Sequence, residues 1–246
     1  MKTLSAKVAF VTGAGRGVGR SIALSLAQHG VKIAAQDNSP VNLDETLDMI
    51  HMAGGQVLEL IGDMSKKMQV QSMIEQGRAA LGEIDLLINQ GSVAPEADLL
   101  TMDEWDWDRT LGVNIKGYFL AIQSLGRLMS ARGQGTIINV VIPPTRYLPM
   151  KRYPAYEVSA AGVRELTRQA GEELEPQGVR VCGVQPAVDE WRTDSLAEEA
   201  VDRTRTWWQQ NPDRFTTALV QLCAAPDQIQ QGCVLTVKQD GSLQSQ

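Results

Sequence analysis

The fold of this chain is decided by the stretch Thr12-Gly13-Ala14-Gly15-Arg16-Gly17-Val18-Gly19, which joins a short apolar run to an amphipathic segment. Glycines at a strand-to-helix turn let the backbone bend tightly and come close to a pyrophosphate. The N-terminus of the helix that follows offers that anion free N–H groups and a partial positive charge. The stretch therefore predicts a binding site for a dinucleotide.

Two charged residues near this turn bear on which dinucleotide it binds. A second predicted strand ends at Asp37, whose carboxylate would accept the ribose hydroxyl protons of NAD and repel the 2′-phosphate of NADP. Arg16 favours NADP instead, because its guanidinium could pair with that phosphate. We expect NAD, since the carboxylate stands where the ribose should lie, and keep NADP as the less favoured cofactor.

Short apolar runs alternate with helical patterns along the chain. The runs lack polar alternation, which is typical of parallel strands covered on both faces. Alternation of this kind builds right-handed crossovers and a doubly wound sheet. We predict one α/β domain over residues 1–246, with a Rossmann-like parallel sheet of about seven strands and helices on both faces. The predicted strands are Lys7–Thr12, Val31–Asp37, Val57–Ile61, Ile84–Ile88, Thr136–Val141, Val179–Val184 and Cys233–Val237.

Two helix starts are also predicted. Thr101-Met102-Asp103-Glu104 has the spacing of a capping box, in which Thr101 and Glu104 each satisfy a free backbone N–H of the first turn. Asn211-Pro212 places a capping side chain before a proline in the first helical position.

Composition limits the partners and the environment. Hydrophobic residues make up 43% and the net charge is -6, so we expect a packed core and no nucleic-acid partner. No apolar run approaches the roughly 18 residues that span a bilayer, and we expect no membrane partner. Met1–Lys7 is too short before the first strand to be a signal peptide, which favours the cytoplasm. Cys182, Cys223 and Cys233 are odd in number and widely spaced, so neither a metal site nor a disulfide framework is predicted.

The turn and several later segments resemble the short-chain dehydrogenase/reductase family over nearly the whole chain. Thr12-Gly-x-x-x-Gly17-x-Gly19 has the family's spacing, and Asn89-Gln90-Gly91-Ser92 occupies the place of its Asn-Asn-Ala-Gly element with only the first residue kept. Val113-Asn114-Ile115-Lys116-Gly117 matches the helix that carries the family's asparagine. Asp240-Gly241 resembles its glycine-rich terminal tail.

The resemblance implies a set of contacts to the cofactor. Asp63, after the third strand, stands where the family contacts adenine, and Thr193 lies roughly where a threonine touches the nicotinamide amide. Pro186-Ala187 stands where the family has Pro-Gly. The predicted cofactor-binding residues are Gly13, Gly15, Arg16, Gly17, Val18, Gly19, Asp37, Asp63, Asn89, Gly91, Pro186 and Thr193.

The resemblance also implies that Tyr156 is the proton donor and that Asn114 supports a water-mediated proton path. In the family, a lysine four residues after the tyrosine favours the tyrosinate and holds the nicotinamide ribose, and a serine orients the carbonyl group. Here Ala160 stands at the lysine position, and Ile142 or Pro143 at the serine position. Losing the lysine alone should raise the barrier by roughly 4 kcal/mol or more, because a free tyrosine has a pKa of about 10.

Nearby residues offer only imperfect replacements. Thr145 has a hydroxyl, but it is offset from the serine position by two to three residues. Tyr147-Leu148-Pro149-Met150-Lys151 also fits Tyr-x-x-x-Lys, but its proline would disrupt the helical turn that the pairing needs. Arg146, Lys151 and Arg152 lie in the loop before the helix. They are open to three interpretations: a solvated loop, a site for an anionic or acyl-carrier ligand, or a replacement for the lysine.

Three functions remain open at this point. The first is an NAD-dependent oxidoreductase that is slow or uses an unusual proton relay through Tyr156. The second is a silent nucleotide-binding subunit that pairs with an intact relative or senses the cofactor. The third is a catalyst of non-redox chemistry.

The family keeps its substrate lid at about residues 186–211. Trp191, Trp207 and Trp208 in this segment would either cover an apolar ligand or pack in a contact. We expect an unknown small-molecule ligand and a homo-oligomer, dimer or tetramer, through the helices that carry Asn114 and Tyr156.

Overall fold

Strands and helices alternate along the chain in this computed structural model, which describes residues 4–141, 152–186, 212–238 and 240–245. The strands are β1 (Val8–Thr12), β2 (Lys32–Asp37), β3 (Val57–Ile61), β4 (Leu86–Asn89), β5 (Gly135–Val140), β6 (Val179–Pro186), β7 (Val234–Val237) and β8 (Leu243–Ser245). The helices are α1 (Gly17–Gln28), α2 (Pro40–Met52), α3 (Lys67–Leu81), α4 (Glu104–Leu111), α5 (Gly117–Ala131), α6 (Pro154–Leu174) and α7 (Pro212–Ala224). A π-helical turn, Gly112–Lys116, joins α4 to α5.

The described strands form one sheet in the order β3-β2-β1-β4-β5-β6-β7-β8. The first seven strands pair in parallel, and β8 is antiparallel to β7. The chain moves outward in one direction from β1 to β3 and in the other direction from β4 onward. The helices that follow β1 and β4 therefore lie on opposite faces of the sheet, and a crevice opens at the carboxyl ends of these two strands.

The predicted doubly wound parallel sheet is confirmed, and its seven strands have ends that shift by at most two residues. The eighth strand was not predicted. Its residues, Leu243–Ser245, are all exposed. A strand without a buried face has no need of the apolar run that reveals the others.

The predicted capping box at Thr101 is wrong. Helix α4 begins at Glu104, and the side chain of Asp103 accepts a hydrogen bond from the Trp105 N–H at 2.8 Å. The Thr101 hydroxyl donates instead to the carbonyl of Asp98 at 3.3 Å. Aspartate caps a helix at least as well as threonine, and Asp103 is the one that directly precedes the helix. Helix α7 begins at Pro212 as predicted, while Asn211 lies outside the described residues.

The sheet packs a hydrophobic core on each face. Successive side chains of β1 point to opposite faces, so Ala9 and Val11 belong to one core and Val8 and Phe10 to the other. The first core lies under α1 and α7, and the second under α3, α5 and α6. No helix within the described ranges is long and apolar enough to cross a membrane.

We predict that Met73→Ala lowers the free energy of unfolding by about 2–5 kcal/mol, as measured by urea denaturation followed by circular dichroism. Met73 is 2% exposed in α3 and packs beneath Gly62, where an added Cβ would lie 2.8 Å from the Met73 sulfur. The matched control is Met52→Ala, at the end of α2, where the side chain is 89% exposed. The control should change stability by no more than about 0.5 kcal/mol. Equal losses at the two positions would contradict this assignment of the core.

Candidate cofactor-binding and active site

A cavity of about 1740 Å³ opens at the crevice beyond the carboxyl ends of β1 and β4. Its floor is the glycine-rich turn after β1, and its walls come from the ends of β2 and β3, the loop after β4 and the start of α6. Eight of the predicted site residues line it: Gly13, Arg16, Gly17, Val18, Asp37, Asp63, Gly91 and Tyr156. The structure therefore brings the two ends of the predicted site, the turn and the tyrosine, into one cavity.

The glycines of the turn are required by close backbone contacts. Gly13 has a φ of +62°, and a Cβ there would lie 2.6 Å from the Cα of Gly91. A Cβ on Gly19 would overlap the carbonyl oxygen of Gly13. Gly17 differs, because its φ is +53° but a Cβ would meet nothing within 4 Å. The turn is therefore packed tightly against neighbouring backbone at Gly13 and Gly19, and it is open to the cavity at Gly17.

The end of β2 holds the turn from the side. Gln36 is 3% exposed, and its side-chain oxygen accepts a hydrogen bond from the Gly13 N–H at 3.3 Å. The carboxylate of Asp37 accepts from the Gly15 N–H at 3.1 Å and from the Ser39 N–H at 3.0 Å. Because Asp37 also lines the cavity, its negative charge is fixed in place beside the turn.

Arg20 also holds the turn in place, a role that was not predicted from the sequence. Its guanidinium donates to the carbonyls of Gly15 and Asn42, each at 3.2 Å, and pairs with Glu45 at 2.6 Å. The sequence does contain an indication of this role, because a positive charge near a helix N-terminus is unfavourable unless it has partners of its own. Gln36 also left a signal, as a polar residue inside an apolar strand.

Arg16 differs from Arg20 in its surroundings. It precedes α1 in an extended conformation, with no side-chain capping hydrogen bond, and its side chain is exposed at the cavity. The two charges that bear on the choice between NAD and NADP, on Asp37 and Arg16, therefore both reach the same cavity.

The remaining predicted cofactor residues are placed differently. Asp63 lines the cavity, and its carboxylate accepts from the Ser65 N–H at 2.8 Å. Asn89 is completely buried at the end of β4, behind the cavity wall, and donates to the side-chain oxygen of Asn139 at 2.9 Å. Pro186 is buried and ends β6 opposite Val237. Thr193 and the predicted lid lie outside the described residues, apart from Pro186.

Tyr156 projects from the first turn of α6 and is 9% exposed. Burial raises its pKa well above the ordinary value for tyrosine, because the phenolate is the charged form and loses its water. A side-chain hydrogen bond with Ser92 lowers the pKa to a smaller extent. Among the described residues, neither cause is a positive charge, and the half-buried residue one helical turn later is Ala160. Burial therefore favours the neutral form of the phenol.

Asn114 joins the loop after β4 to α6, the helix that carries Tyr156. It lies in the π-helical turn and is 4% exposed. Its side-chain oxygen accepts from the Val93 N–H at 2.8 Å, and its amide donates to the Val93 carbonyl at 2.9 Å and to the Ser159 hydroxyl at 3.1 Å. This residue fastens the loop after β4 to α6; its predicted catalytic role stays a prediction.

Of the basic loop before α6, only Arg152 is described. Its guanidinium pairs with Glu96 at 2.9 Å and with Asp98 at 3.4 Å, and its carbonyl accepts from the Ala97 N–H at 2.9 Å. These contacts tie the loop after β4 to the start of α6 and leave Arg152 with two carboxylate partners. Ile142, Pro143, Thr145, Arg146, Tyr147 and Lys151 lie outside the described residues.

We predict that Gly19→Ala destabilises the protein and that Gly77→Ala does not. Both glycines lie within helices, but a Cβ on Gly19 would overlap the Gly13 carbonyl, whereas a Cβ on Gly77 would make ordinary contacts of 3.5 Å or more. Gly77→Ala should therefore be neutral or stabilising by up to about 1 kcal/mol, and Gly19→Ala should unfold at a lower temperature in a thermal scan. A Gly19→Ala variant as stable as the wild type would show that the turn is not packed as described.

Comparisons with known proteins agree with this geometry. A model of the short chain dehydrogenase family matches residues 7–202. An uncharacterised oxidoreductase of Thermotoga maritima is 32% identical over 73% of this chain and 70% of its own length, and a 3-oxoacyl-acyl-carrier-protein reductase of the same organism is 31% identical over 80% of each. The crystal structure of a metagenomic short-chain oxidoreductase in complex with NADP superimposes with a TM-score of 0.81 at 27% identity, over 96% of this chain and 99% of that one. A family match that covers well over half of the chain, on a sheet with this strand order, shows that the chain belongs to the short-chain dehydrogenase/reductase family of oxidoreductases.

Proposed function

We propose that the protein binds NAD(H) and has weak or no ordinary carbonyl and alcohol redox activity. The observation that carries the proposal is the surroundings of Tyr156, which is buried in the cavity wall with Ala160 one helical turn away. The glycine turn keeps the close backbone contacts that a dinucleotide site needs, while the pKa of Tyr156 is shifted by burial and, among the residues that the structure describes, not by a neighbouring positive charge. Binding and turnover are therefore expected to be separate properties of this chain.

The weakness of turnover follows from proton transfer. Reducing a carbonyl group requires a proton donor whose pKa is matched to the working pH. An ordinary tyrosine, with a pKa of about 10, is already too weakly acidic for rapid exchange at neutral pH. Burial raises the pKa of Tyr156 further, and the methyl group of Ala160 offers no charge to oppose that effect. A phenol in this state donates a hydrogen bond well but is slow to give up and regain its proton.

The preference for NAD is proposed from the position of Asp37. Its carboxylate is held at the cavity by the N–H groups of Gly15 and Ser39. A negative charge that cannot move away opposes the 2′-phosphate of NADP and favours the free hydroxyls of NAD. The metagenomic relative was crystallised with NADP, and the exposed Arg16 is the residue of this chain that would favour the same choice.

A slow oxidoreductase that works through Tyr156 is the second candidate. It is favoured by the hydrogen bond between Tyr156 and Ser92, which acts against the effect of burial on the pKa. In this case the cavity would hold a carbonyl or alcohol substrate beside the phenol, and turnover would be slow but real. A silent subunit of a hetero-oligomer with an intact relative would show binding without any turnover.

Association through the helices that carry Asn114 and Tyr156 is part of the proposal. These helices expose large apolar side chains: Trp105 is 65% exposed, Phe119 43% and Val158 50%. The guanidinium of Arg109 lies 5.2 Å from the centre of the Trp105 ring. An exposed tryptophan beside an arginine is typical of protein contacts, and supports a homo-oligomer, dimer or tetramer.

We predict that the protein binds NADH more tightly than NADPH and that Asp37→Asn narrows the difference by about tenfold or more, a change of about 1.4 kcal/mol. The asparagine keeps the size and one hydrogen-bond acceptor of Asp37 but removes the charge that repels the phosphate. Binding is measured by quenching of tryptophan fluorescence, since Trp105 lines the cavity. The control is Asp213→Asn in α7, an exposed residue outside the cavity lining. Tighter binding of NADPH by the wild type would refute the NAD preference.

We predict that Ala160→Lys raises the rate of NADH-dependent carbonyl reduction by at least about tenfold at neutral pH. The residue lies one turn after Tyr156, so a lysine there shares its face of the helix and would lower the pKa of the phenol. Any alcohol oxidation by the wild type should rise only at a pH well above the ordinary tyrosine pKa of about 10, because burial raises the pKa of Tyr156, and in the variant the rise should come at lower pH. The same test is repeated with Ile142→Ser added.

The matched control for that experiment is Ala161→Lys. Ala161 is exposed, one residue further along α6, and its side chain points about 100° away around the helix. A similar gain from both lysines would mean that general charge, rather than position beside Tyr156, is responsible. Fast turnover by the wild type itself would refute the proposal of weak activity.

A further inference from the structure

One face of α4 and of the π-helical turn lies open to the cavity over about three helical turns. Residues three and four positions apart share one face of a helix, and at about 1.5 Å per residue this stripe is about 16 Å long. It forms a wall of the cavity that contains none of the residues predicted to hold the cofactor. The residues of the stripe that line the cavity are Trp105, Asp108, Arg109, Gly112, Val113 and Lys116.

The loop after β3 stands opposite this stripe. Ser65 and Lys66 line the cavity from that loop, and the Cβ of Ser65 lies 3.5 Å from the position that a Cβ on Gly112 would take. The loop and the stripe therefore meet at Gly112. They form a groove at this side of the cavity, with Lys66 directly beside the contact.

Three positive charges surround Gly112. Arg109 precedes it by three residues and Lys116 follows it by four, so both lie one helical turn away on the same face. Lys66 comes from the opposite loop. All three side chains belong to exposed residues of the cavity lining, and each is long enough to reach over the glycine.

These cations lack carboxylate partners, although the chain as a whole has a net charge of -6. Within the ranges that the structure describes, none of the three is in an ion pair. Arg20, which also lines the cavity, pairs by contrast with Glu45 at 2.6 Å. The guanidinium of Arg109 lies 5.2 Å from the centre of the Trp105 ring, a contact that holds it in place without neutralising its charge.

Two carboxylates reduce the positive charge of the groove without cancelling it. Asp108 belongs to the same stripe, and Asp63 lines the cavity with its carboxylate bonded to the Ser65 N–H at 2.8 Å. Three positive and two negative charges leave a net charge of +1. The groove is thus locally positive on an acidic protein.

Gly112 keeps the centre of the groove open. Its φ of -57° and ψ of -48° are those of a right-handed helix, so its conformation does not require glycine. Among the described residues, a Cβ there would meet only Ser65, at an ordinary contact distance. Glycine is less favourable than alanine inside a helix. The packing of this part of the protein therefore does not explain the glycine, whereas a ligand lying between the three cations would.

We propose that this groove binds the phosphate groups of a second small-molecule ligand, held by Lys66, Arg109 and Lys116 beside the dinucleotide site. Hydrogen bonds from guanidinium and ammonium groups to phosphate oxygens are charge-assisted and strong. The cavity, at about 1740 Å³, exceeds the roughly 300–1,000 Å³ of a typical small-molecule site and leaves room for a second ligand. The inference goes beyond the proposed function, since it uses none of the predicted cofactor residues.

The test is a calorimetric titration with inorganic pyrophosphate at constant ionic strength, with the cofactor site filled by saturating NADH. Arg109→Gln and Lys116→Gln should each weaken binding by about tenfold or more, the range for one hydrogen bond to a charged group, and the double variant should lose more. Asp108→Asn should instead tighten binding by about two- to fivefold, because it removes a repulsive charge. All three residues are exposed, so the variants should fold.

The matched control compares two neighbouring lysines. Lys66→Gln should weaken pyrophosphate binding, whereas Lys67→Gln, an equal change of charge at an exposed position outside the cavity lining, should leave it within about twofold. GDP is then titrated in place of pyrophosphate. Equal affinities would identify the phosphates as the whole recognised group, and tighter binding of GDP would identify a nucleotide; both support the site.

Two results would overturn the proposal. One is no binding of pyrophosphate to the wild type with NADH bound, and the other is an equal loss from Lys66→Gln and Lys67→Gln, which would reflect general charge. If the wild type binds no NADH, the proposed function fails, and the same variants are titrated with pyrophosphate alone. The groove is then supported if Lys66→Gln and Arg109→Gln weaken binding while Lys67→Gln does not, and it is refuted otherwise.

Discussion

The contact between the backbones of Gly13 and Gly91 is the constraint on which the rest of the site depends. It brings the turn after β1 against the loop after β4, at the point where the strand order reverses. A side chain at Gly13 would push these two loops apart, since its Cβ would lie 2.6 Å from the Gly91 Cα. The turn then donates hydrogen bonds to Gln36 and Asp37 and accepts from Arg20, which hold it in the position that this contact sets. Ser92 reaches Tyr156 for the same reason, as the residue that directly follows Gly91.

The two ends of the cavity differ in how firmly their polar groups are held. At the turn, the N–H groups of residues 13 to 15 all have partners at the end of β2, and the charges of Arg20 and Asp37 are held by several hydrogen bonds. At Tyr156, the causes that shift the pKa among the described residues are burial, which favours the neutral phenol, and a neutral hydroxyl. This difference underlies our proposal that the chain holds a nucleotide but transfers protons slowly. The fold and the matched sequence show membership of the family, and neither of them depends on how fast Tyr156 transfers a proton.

How far the sequence predicts this molecule depends on which contacts each feature uses. The seven parallel strands were predictable because burial on both faces demands continuous apolar runs, whereas β8 was missed because it is exposed. The position of the glycine turn at the cavity was predictable because its glycines have a local spacing, and so was the position of Asp37 there, at the end of a strand that the pattern marks clearly. Gln36 and Arg20 stand out in the sequence, as a polar residue in an apolar strand and as a positive charge near a helix N-terminus, but their partners, and the partner of Ser92, are visible only in the fold. The prediction that Thr101 caps α4 was wrong because Asp103, another good capping residue, lies two positions later, and only the packing of the chain decides between the two.

The strand order also determines how subunits of this fold can meet. At one edge of the sheet stands β3, a strand of five residues whose Glu59 is exposed. At the other edge stands β8, three residues long and exposed throughout. Short edge strands and charged edge side chains discourage the addition of a further strand from another molecule. Continuation of the sheet from one copy into another is thus disfavoured at both edges, and the homo-oligomer that we propose would form through the helical faces, where each contact buries side chains instead of extending the backbone ladder.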